Sequence, residues 1–301
     1  MLNFTFNGNG FQWLDYANPT KQELQELQVR YGLHSLAIDH YLSTQPQRPK
    51  IFHFEHDFYY QDTLISYNTQ NGSVELQDVG YFIGSNFLIS LHRHPAPLLQ
   101  SILQQINLEP ASALSIGRIF YLILDETIDQ HFAVLDMIDH SIDRLEQTIL
   151  HGTHQNISTT YFLIKKSLLR VKRILLPRRD SMTKLVRFYD RYLTEGHQIY
   201  FIDVFDHALR ASDTVQSQID TLNGILELYL TTLSNRTNEI VKMLTLVATL
   251  SMPITIIATV YGMNFKSIPE FNWPYGYLFF WMLSIGATAG LYQYLKQHKW
   301  F

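Results

Sequence analysis

Two long stretches of this chain contain no Asp, Glu, Lys or Arg: Met243 to Phe265 and Phe271 to Leu295. Each exceeds the roughly 20 residues with which a helix crosses a hydrocarbon core. Only a short loop separates them, so they read as a helical hairpin whose two ends lie on one side of a bilayer. Lys242 precedes the first span and Lys296 and Lys299 follow the second, while the loop sets Lys266 against Glu270. Because positive charge is retained on the cytoplasmic side, both termini are expected in the cytoplasm. Trp273, Tyr275, Tyr277, Trp300 and Phe301 fall where an interfacial aromatic belt sits. Two buried helices of a soluble protein are the plainer alternative, but residues 1–242 carry charge throughout while these two runs carry none.

The averages conceal this asymmetry. Net charge is −4, so the basic excess of a nucleic-acid-binding protein is missing. The chain has no cysteine, which excludes disulfides and thiolate metal sites. The N-terminus, Met1 to Phe6, lacks the basic and apolar regions of a signal peptide, so no export signal is expected. No nucleophile–base arrangement and no P-loop pattern stands out, so the chain reads neither as an enzyme nor as an ATP-driven machine, and no cofactor is expected.

Residues 1–110 read as a cytosolic α/β domain. Asn18-Pro19-Thr20 signals a helix start and Gly32 its stop. Ile51 to Phe58 reads as a half-buried strand, Asn68 to Ser73 as a turn, and Gly80 to Leu91 as further strand turned at Gly84-Ser85-Asn86. Residues 111–195 read as a helical region. Apolar residues run at helical spacing from Leu114 to Leu145, one helix ends near Gly152, and the next runs from about Ser158 to Pro177. A third starts near Gly196 and meets no proline before Pro253. Over 196–261 it spans roughly 100 Å at 1.5 Å per residue, a stalk that continues into the first span at about 243–261. An external loop, 262–274, a second span, 275–295, and a basic cytosolic tail, 296–301, complete the chain.

Within the first span Asn238, Thr245, Met252 and Thr259 recur every seven residues, and so do Val241, Ala248, Thr255 and Gly262. Together they alternate at three and four, the seam of helices around a common axis. This seam is small and polar rather than leucine-rich. Polar side chains inside a membrane face a bundle interior or a water-filled path, whereas small residues alone also serve tight packing against a neighbouring helix.

The segment NEIVKMLTLVATLSMPITIIATVYGMNF, Asn238 to Phe265, strongly resembles the CorA magnesium-transporter family. The likeness continues through Ile268-Pro269-Glu270-Phe271, Gly276-Tyr277 and Lys299-Trp300. Upstream it includes Tyr200 to His207, Gly32 to Leu36 and Gln47 to Lys50, so it covers nearly the whole chain. The resemblance implies a funnel-shaped homopentamer in the inner membrane, importing hydrated Mg2+, with Co2+ and Ni2+ as further ions, down the membrane potential. It implies that Asn264 rings the outer mouth, with Gly262 allowing the turn before the loop and Met263 packing behind. Thr255 and Ala248 then line the path, Met252, Leu244 and Val241 form an apolar constriction, and Asn238 a polar ring at the inner end. The partners implied are other copies of this chain, the lipid membrane and divalent cations, with no nucleic acid.

In the family a cytosolic ion bridging acidic residues of neighbouring subunits closes the channel. Asp203 stands at one such position, but its partner position here is His40, preceded by Asp39. Imidazole suits Co2+, Ni2+ or Zn2+ better than Mg2+, so the sensor is expected to be weakened, moved to Asp39 or tuned to another metal. His53, His56, Asp57, His92 and His94 are weaker metal candidates. The acidic run from Asp125 to Glu146 gathers cations or forms a solvated face, and the basic set from Lys165 to Arg179 pairs with such acids or lies toward the membrane. Rival readings are a proton-coupled Zn2+ transporter of the same superfamily, against which Met263 speaks, and a non-conducting, membrane-tethered sensor or structural protein.

Overall fold

The structure, a computed structural model, describes residues 1–8, 10–43, 47–110, 113–151, 157–188, 198–264, 268–298 and 300. Gly152, Gly196, Phe265, Lys266, Lys299 and Phe301, which the sequence reading used, lie outside the described residues. The chain divides into two compact units, Met1–Leu226 and Glu227–Phe301.

The first unit is built on six strands: β1 (Leu2–Asn7), β2 (Gln12–Ala17), β3 (Lys50–His53), β4 (Asp57–Asn68), β5 (Ser73–Gly84) and β6 (Phe87–His92). Their order is β1-β2-β6-β5-β4-β3, antiparallel except for the parallel pair β2 and β6. Side chains alternate across a strand, and both faces are apolar. Helices α1 (Lys21–Tyr31) and α2 (Ser35–Leu42) cover one face, where Leu24, Leu27, Ala37 and Ile38 meet Tyr59, Phe82 and Ile89. The other face carries Phe58, Tyr60, Tyr81 and Leu88 against α3 (Pro97–Ile106), α4 (Ile116–Leu150), α5 (Ile157–Phe188) and the first turns of α6 (Gln198–Tyr261). Thus the long helices share one core with the sheet.

Local chemistry explains the boundaries. Thr20 caps α1 by accepting from Glu23 N at 3.2 Å, while Glu23 Oε2 accepts from Thr20 N at 2.7 Å, and Gly32 ends the helix at φ 70. His34 caps α2 through Nδ1, which accepts from Leu36 N at 3.1 Å. Asn68 Oδ1 takes the amides of Gln70 and Asn71, and Gly72 at φ 66 completes the β4–β5 turn.

Two elements differ from the sequence expectation. Ile51 to Phe58 is not one strand: it is the end of β3, a turn closed by Phe54 N donating to Asp57 O, and the start of β4. Alternation alone does not reveal a turn whose residues keep the alternating polarity. The helix expected to stop at Pro177 continues to Phe188. A mid-helix proline forfeits one backbone hydrogen bond, but Arg178, Ser181, Met182 and Leu185 beyond it are buried, and Ser181 Oγ donates to Pro49 O at 3.1 Å. Tertiary packing outweighs the break.

The strand ends hold a buried polar cluster. His92 lies 3.1 Å from Asp15 Oδ2, Asn3 Nδ2 donates to the same oxygen at 2.8 Å, and Ser90 joins Asp15 to Trp13. The His92 pKa is raised: burial opposes protonation, but the hydrogen bond and charge of Asp15 outweigh it. A raised histidine pKa stabilises the fold fully below the unfolded value of about 6.5 and stops doing so as pH rises through the folded value. The difference in melting temperature between the native chain and His92→Gln is therefore expected to shrink between pH 6 and pH 8 (both chosen to bracket the unfolded value, roughly 6.5). A difference that is constant or grows with pH would contradict the ion pair.

In the second unit the later part of α6 and α7 (Gly276–Gln297) form the hairpin, with a short 3-10 turn at Pro269–Asn272 between them. A Cβ on Gly276 would sit 2.3 Å from Glu270 O, so only glycine lets α7 start this close to the turn. Among the described residues α6 alone is long and apolar enough to cross a membrane by length and composition. Ser284, Gly286, Gly290 and Gln293 dilute the hydropathy of α7 although no charge interrupts it before Lys296.

Candidate ion pathway and metal site

The second unit sorts the residues of α6 onto two faces. Leu250 and Ile254 lie against α7, where with Ile285, Thr288, Ala289 and Tyr292 they line an apolar groove of about 320 Å³. Tyr261 meets the edge of Phe280 at 5.6 Å. Asn238, Val241, Leu244, Ala248, Met252 and Thr255 are all exposed in the single chain. At 100° per residue, Asn238, Val241 and Met252 are turned about 160–220° from Ile254 and point away from α7, while Leu244 and Thr255 lie to its sides.

The hydroxyls along the helix have a definite polarity. Ser251 Oγ donates to Val247 O at 2.8 Å, Thr255 Oγ1 to Ser251 O at 3.0 Å, and Thr259 Oγ1 to Thr255 O at 2.7 Å. With each proton committed to a backbone carbonyl, the outward lone pairs can only accept. Acceptors suit the water hydrogens around a hydrated cation. The helix ends with Gly262 N donating to Ala258 O and Thr259 O at 3.0 and 3.1 Å. Gly262 has no positive φ, so it is not needed for a left-handed turn; an added Cβ would approach Ala258 O to 3.3 Å. Met263 and Asn264 follow, both exposed.

The first unit contains a group that could hold a metal. Ligand atoms of Asp125 on α4 and of Asp203 and His207 on α6 lie within 4.8 Å of one another. His207 Nδ1 is 3.7 Å from Asp125 Oδ1, and Nε2 is 3.7 Å from Asp203 Oδ1. The i, i+4 spacing puts Asp203 and His207 on one helical face. Burial first, then the neighbouring charge of Asp129, raises the Asp125 pKa. Burial and the charges of Asp125 and Asp203 push Tyr121, which donates to Asp125 at 3.3 Å, up to about 12. Crowded acid groups are relieved by a cation. Two carboxylates suit Mg2+ and the imidazole adds affinity for Co2+ or Ni2+.

Asp39 and His40 are not brought to Asp203 within one chain. They lie on α2, over the opposite face of the sheet from α6. Asp39 is exposed, whereas His40 is half-buried edge-on to Phe52 at 5.0 Å, and burial lowers its pKa. Sequence reasoning named His207 only as part of a motif and Asp125 only in an acidic run; the signal that joins them is the i, i+4 pair facing α4.

The weaker histidine candidates separate. His92 is held by Asp15 in the core, and His94 lies beyond the strand. Asp57 is pushed up to about 6, chiefly by burial, with His34 and His56 opposing. Nor do the α5 bases pair with the α4 acids among the described residues. Arg178 pairs with buried Asp62 on β4 at 3.1 Å, Arg179 with Asp180, and Arg170 donates to Val74 O.

The chain is 28% identical over 272 residues to the cobalt/magnesium transport protein CorA of Thermotoga maritima, covering 90% of this chain and 77% of that one. Its fold matches the complete structure of the CorA magnesium transporter from Methanocaldococcus jannaschii with a TM-score of 0.84 at 21% identity, covering 99% and 94% of the two chains. The full-length CmaX protein matches with a TM-score of 0.75 at 17% identity, covering 96% and 88%. The model of the family described as CorA-like Mg2+ transporter protein matches residues 8–297, and the chain belongs to that family.

Proposed function

We propose that this chain forms a homopentameric channel that carries hydrated Mg2+ into the cytosol. The observation that carries the reading is the uncovered stripe of α6, from Asn238 to Thr255, headed by exposed Asn264. Side by side around an axis, several such stripes enclose a path. Asn264 amide oxygens accept from the waters of the arriving ion, which sheds them reluctantly, and attract it without a fixed charge that would hold it. Thr255 and Thr259 offer further acceptors. Met252, Leu244 and Val241 form the apolar constriction, which blocks ions by dewetting when narrow. Entry of a divalent ion gains about 4.6 kcal/mol from a potential of roughly 100 mV.

In this reading the chain crosses the inner membrane twice, at about 243–261 and 275–295, with 262–274 outside and both termini in the cytoplasm. Flux of Mg2+, Co2+, Ni2+ and Zn2+ into proteoliposomes tests it. Uptake driven by an inside-negative potential is expected, and no flux of any ion would sink the channel; Zn2+ flux requiring a proton gradient would transfer the chain to the rival mechanism.

The Asp125, Asp203 and His207 group supports a cytosolic regulatory site, with Asp39 of a neighbouring copy as the acid that joins it. His40, half-buried against Phe52, is the poorer donor. Removing ligands should uncouple the gate: Asp203→Asn with His207→Ala is expected to need roughly five- to tenfold more internal Mg2+ for half-closure. An unshifted closure curve would remove these residues from regulation.

A further inference from the structure

We propose that α5 of one copy docks against α4 of the next, so that the cytosolic units associate head to tail through complementary charges. This rests on the homo-oligomeric reading and adds the surface through which copies meet. On α5, Lys166 and Arg173 are exposed and have no hydrogen bond or ion pair among the described residues; Leu169, exposed, lies between them and Phe162 one turn before. Around this stripe Lys165 and Arg170 extend the positive surface. On α4, Asp136 and Asp143 are exposed and equally without hydrogen bond or ion pair among the described residues.

The spacing is matched. Each pair is seven residues apart, two helical turns or about 10.5 Å. Two bases can therefore meet two acids in one alignment of the helices. The charges by themselves contribute little when solvated; their role is register and choice of partner. Because the acidic and basic faces are different surfaces of the same chain, the contact is heterologous. Heterologous contacts close into rings when the rotation permits, and a central pathway needs a ring. A symmetric face-to-face contact would instead oppose like charges.

The native chain contains no cysteine, so introduced thiols report unambiguously. Full-length Lys166→Cys and Asp136→Cys chains with different tags are co-expressed, purified in detergent and oxidised, and the same is done with Asp143→Cys. A heterotypic cross-linked dimer is expected for at least one pairing, without a Lys166→Cys homodimer. In a second arm, Lys166→Glu/Arg173→Glu is expected to raise the protein concentration at which the oligomer half-dissociates roughly tenfold, and adding Asp136→Lys/Asp143→Lys to bring it back down. An intact oligomer by light scattering with only homotypic or no cross-links, and no charge rescue, overturns this interface while leaving the transport reading standing. A chain that is monomeric by light scattering overturns both.

Discussion

Asn264→Ala is expected to reduce Mg2+ uptake into proteoliposomes to the level of empty vesicles. The side chain is exposed just past the end of α6, beyond Gly262 and Met263. In the proposed oligomer the substitution removes one amide oxygen per subunit from a single ring. Multiplied over the subunits, even a modest loss of stabilisation for each becomes decisive, since every 1.4 kcal/mol is about tenfold in occupancy. A carboxylate is not an equivalent replacement. Asn264→Asp is expected to bind the ion more tightly and pass it more slowly, because conduction requires that binding be weak enough to leave. Light scattering of the variant should remain that of the native oligomer, since an exposed side chain carries little of the fold. Unchanged uptake by Asn264→Ala would place the entrance elsewhere.

The long apolar run of α6 was legible because a stretch without charge shows in composition. Charge cannot be buried in lipid at low cost, so the run from Met243 onward stood out, and α6 continues through Pro253 to Tyr261. That Asn238, Val241, Thr245 and Ala248 share one side of the helix follows from their spacing of three and four and needs no tertiary information. The α/β class of the first unit followed from turn chemistry at Asn68 to Ser73 and Gly84 to Asn86. What resisted reading was set by contacts distant in sequence. Pro177 reads as a stop unless Arg178 is known to have a carboxylate waiting on β4. His40 reads as a free surface side chain unless Phe52 is known to lie edge-on to it. Asp125 and His207 are far apart along the chain and meet only because α4 and α6 pack together.

Arg178 itself carries the second large expectation. It is fully buried, 3.1 Å from Asp62 Oδ2, and donates to Leu124 O and to His131 Nδ1, whose Nε2 in turn reaches Thr63 O. Burial, then the adjacent guanidinium, holds His131 well below the ordinary histidine pKa, so the ring stays neutral and accepts from Arg178. Asp62→Ala is expected to destabilise the first unit by about 3–5 kcal/mol, because an unpaired guanidinium is left in the core and cannot shed its proton. That is comparable with the whole stability of many domains, about 5–15 kcal/mol. Arg178→Met leaves the opposite orphan, and the two are not symmetric. Burial already raises the Asp62 pKa against the opposing pull of Arg178, and without Arg178 it rises further. A raised carboxyl pKa means the folded state binds the proton more readily, so stability increases as pH falls. Arg178→Met should therefore recover stability on acidification while Asp62→Ala does not. Replacing both, as Asp62→Ala/Arg178→Met, should cost far less than the sum of the single changes. Thermal unfolding of the three variants across pH decides it: costs that simply add, or a penalty for Arg178→Met that does not ease in acid, would mean that the buried pair is not what joins β4 to α5.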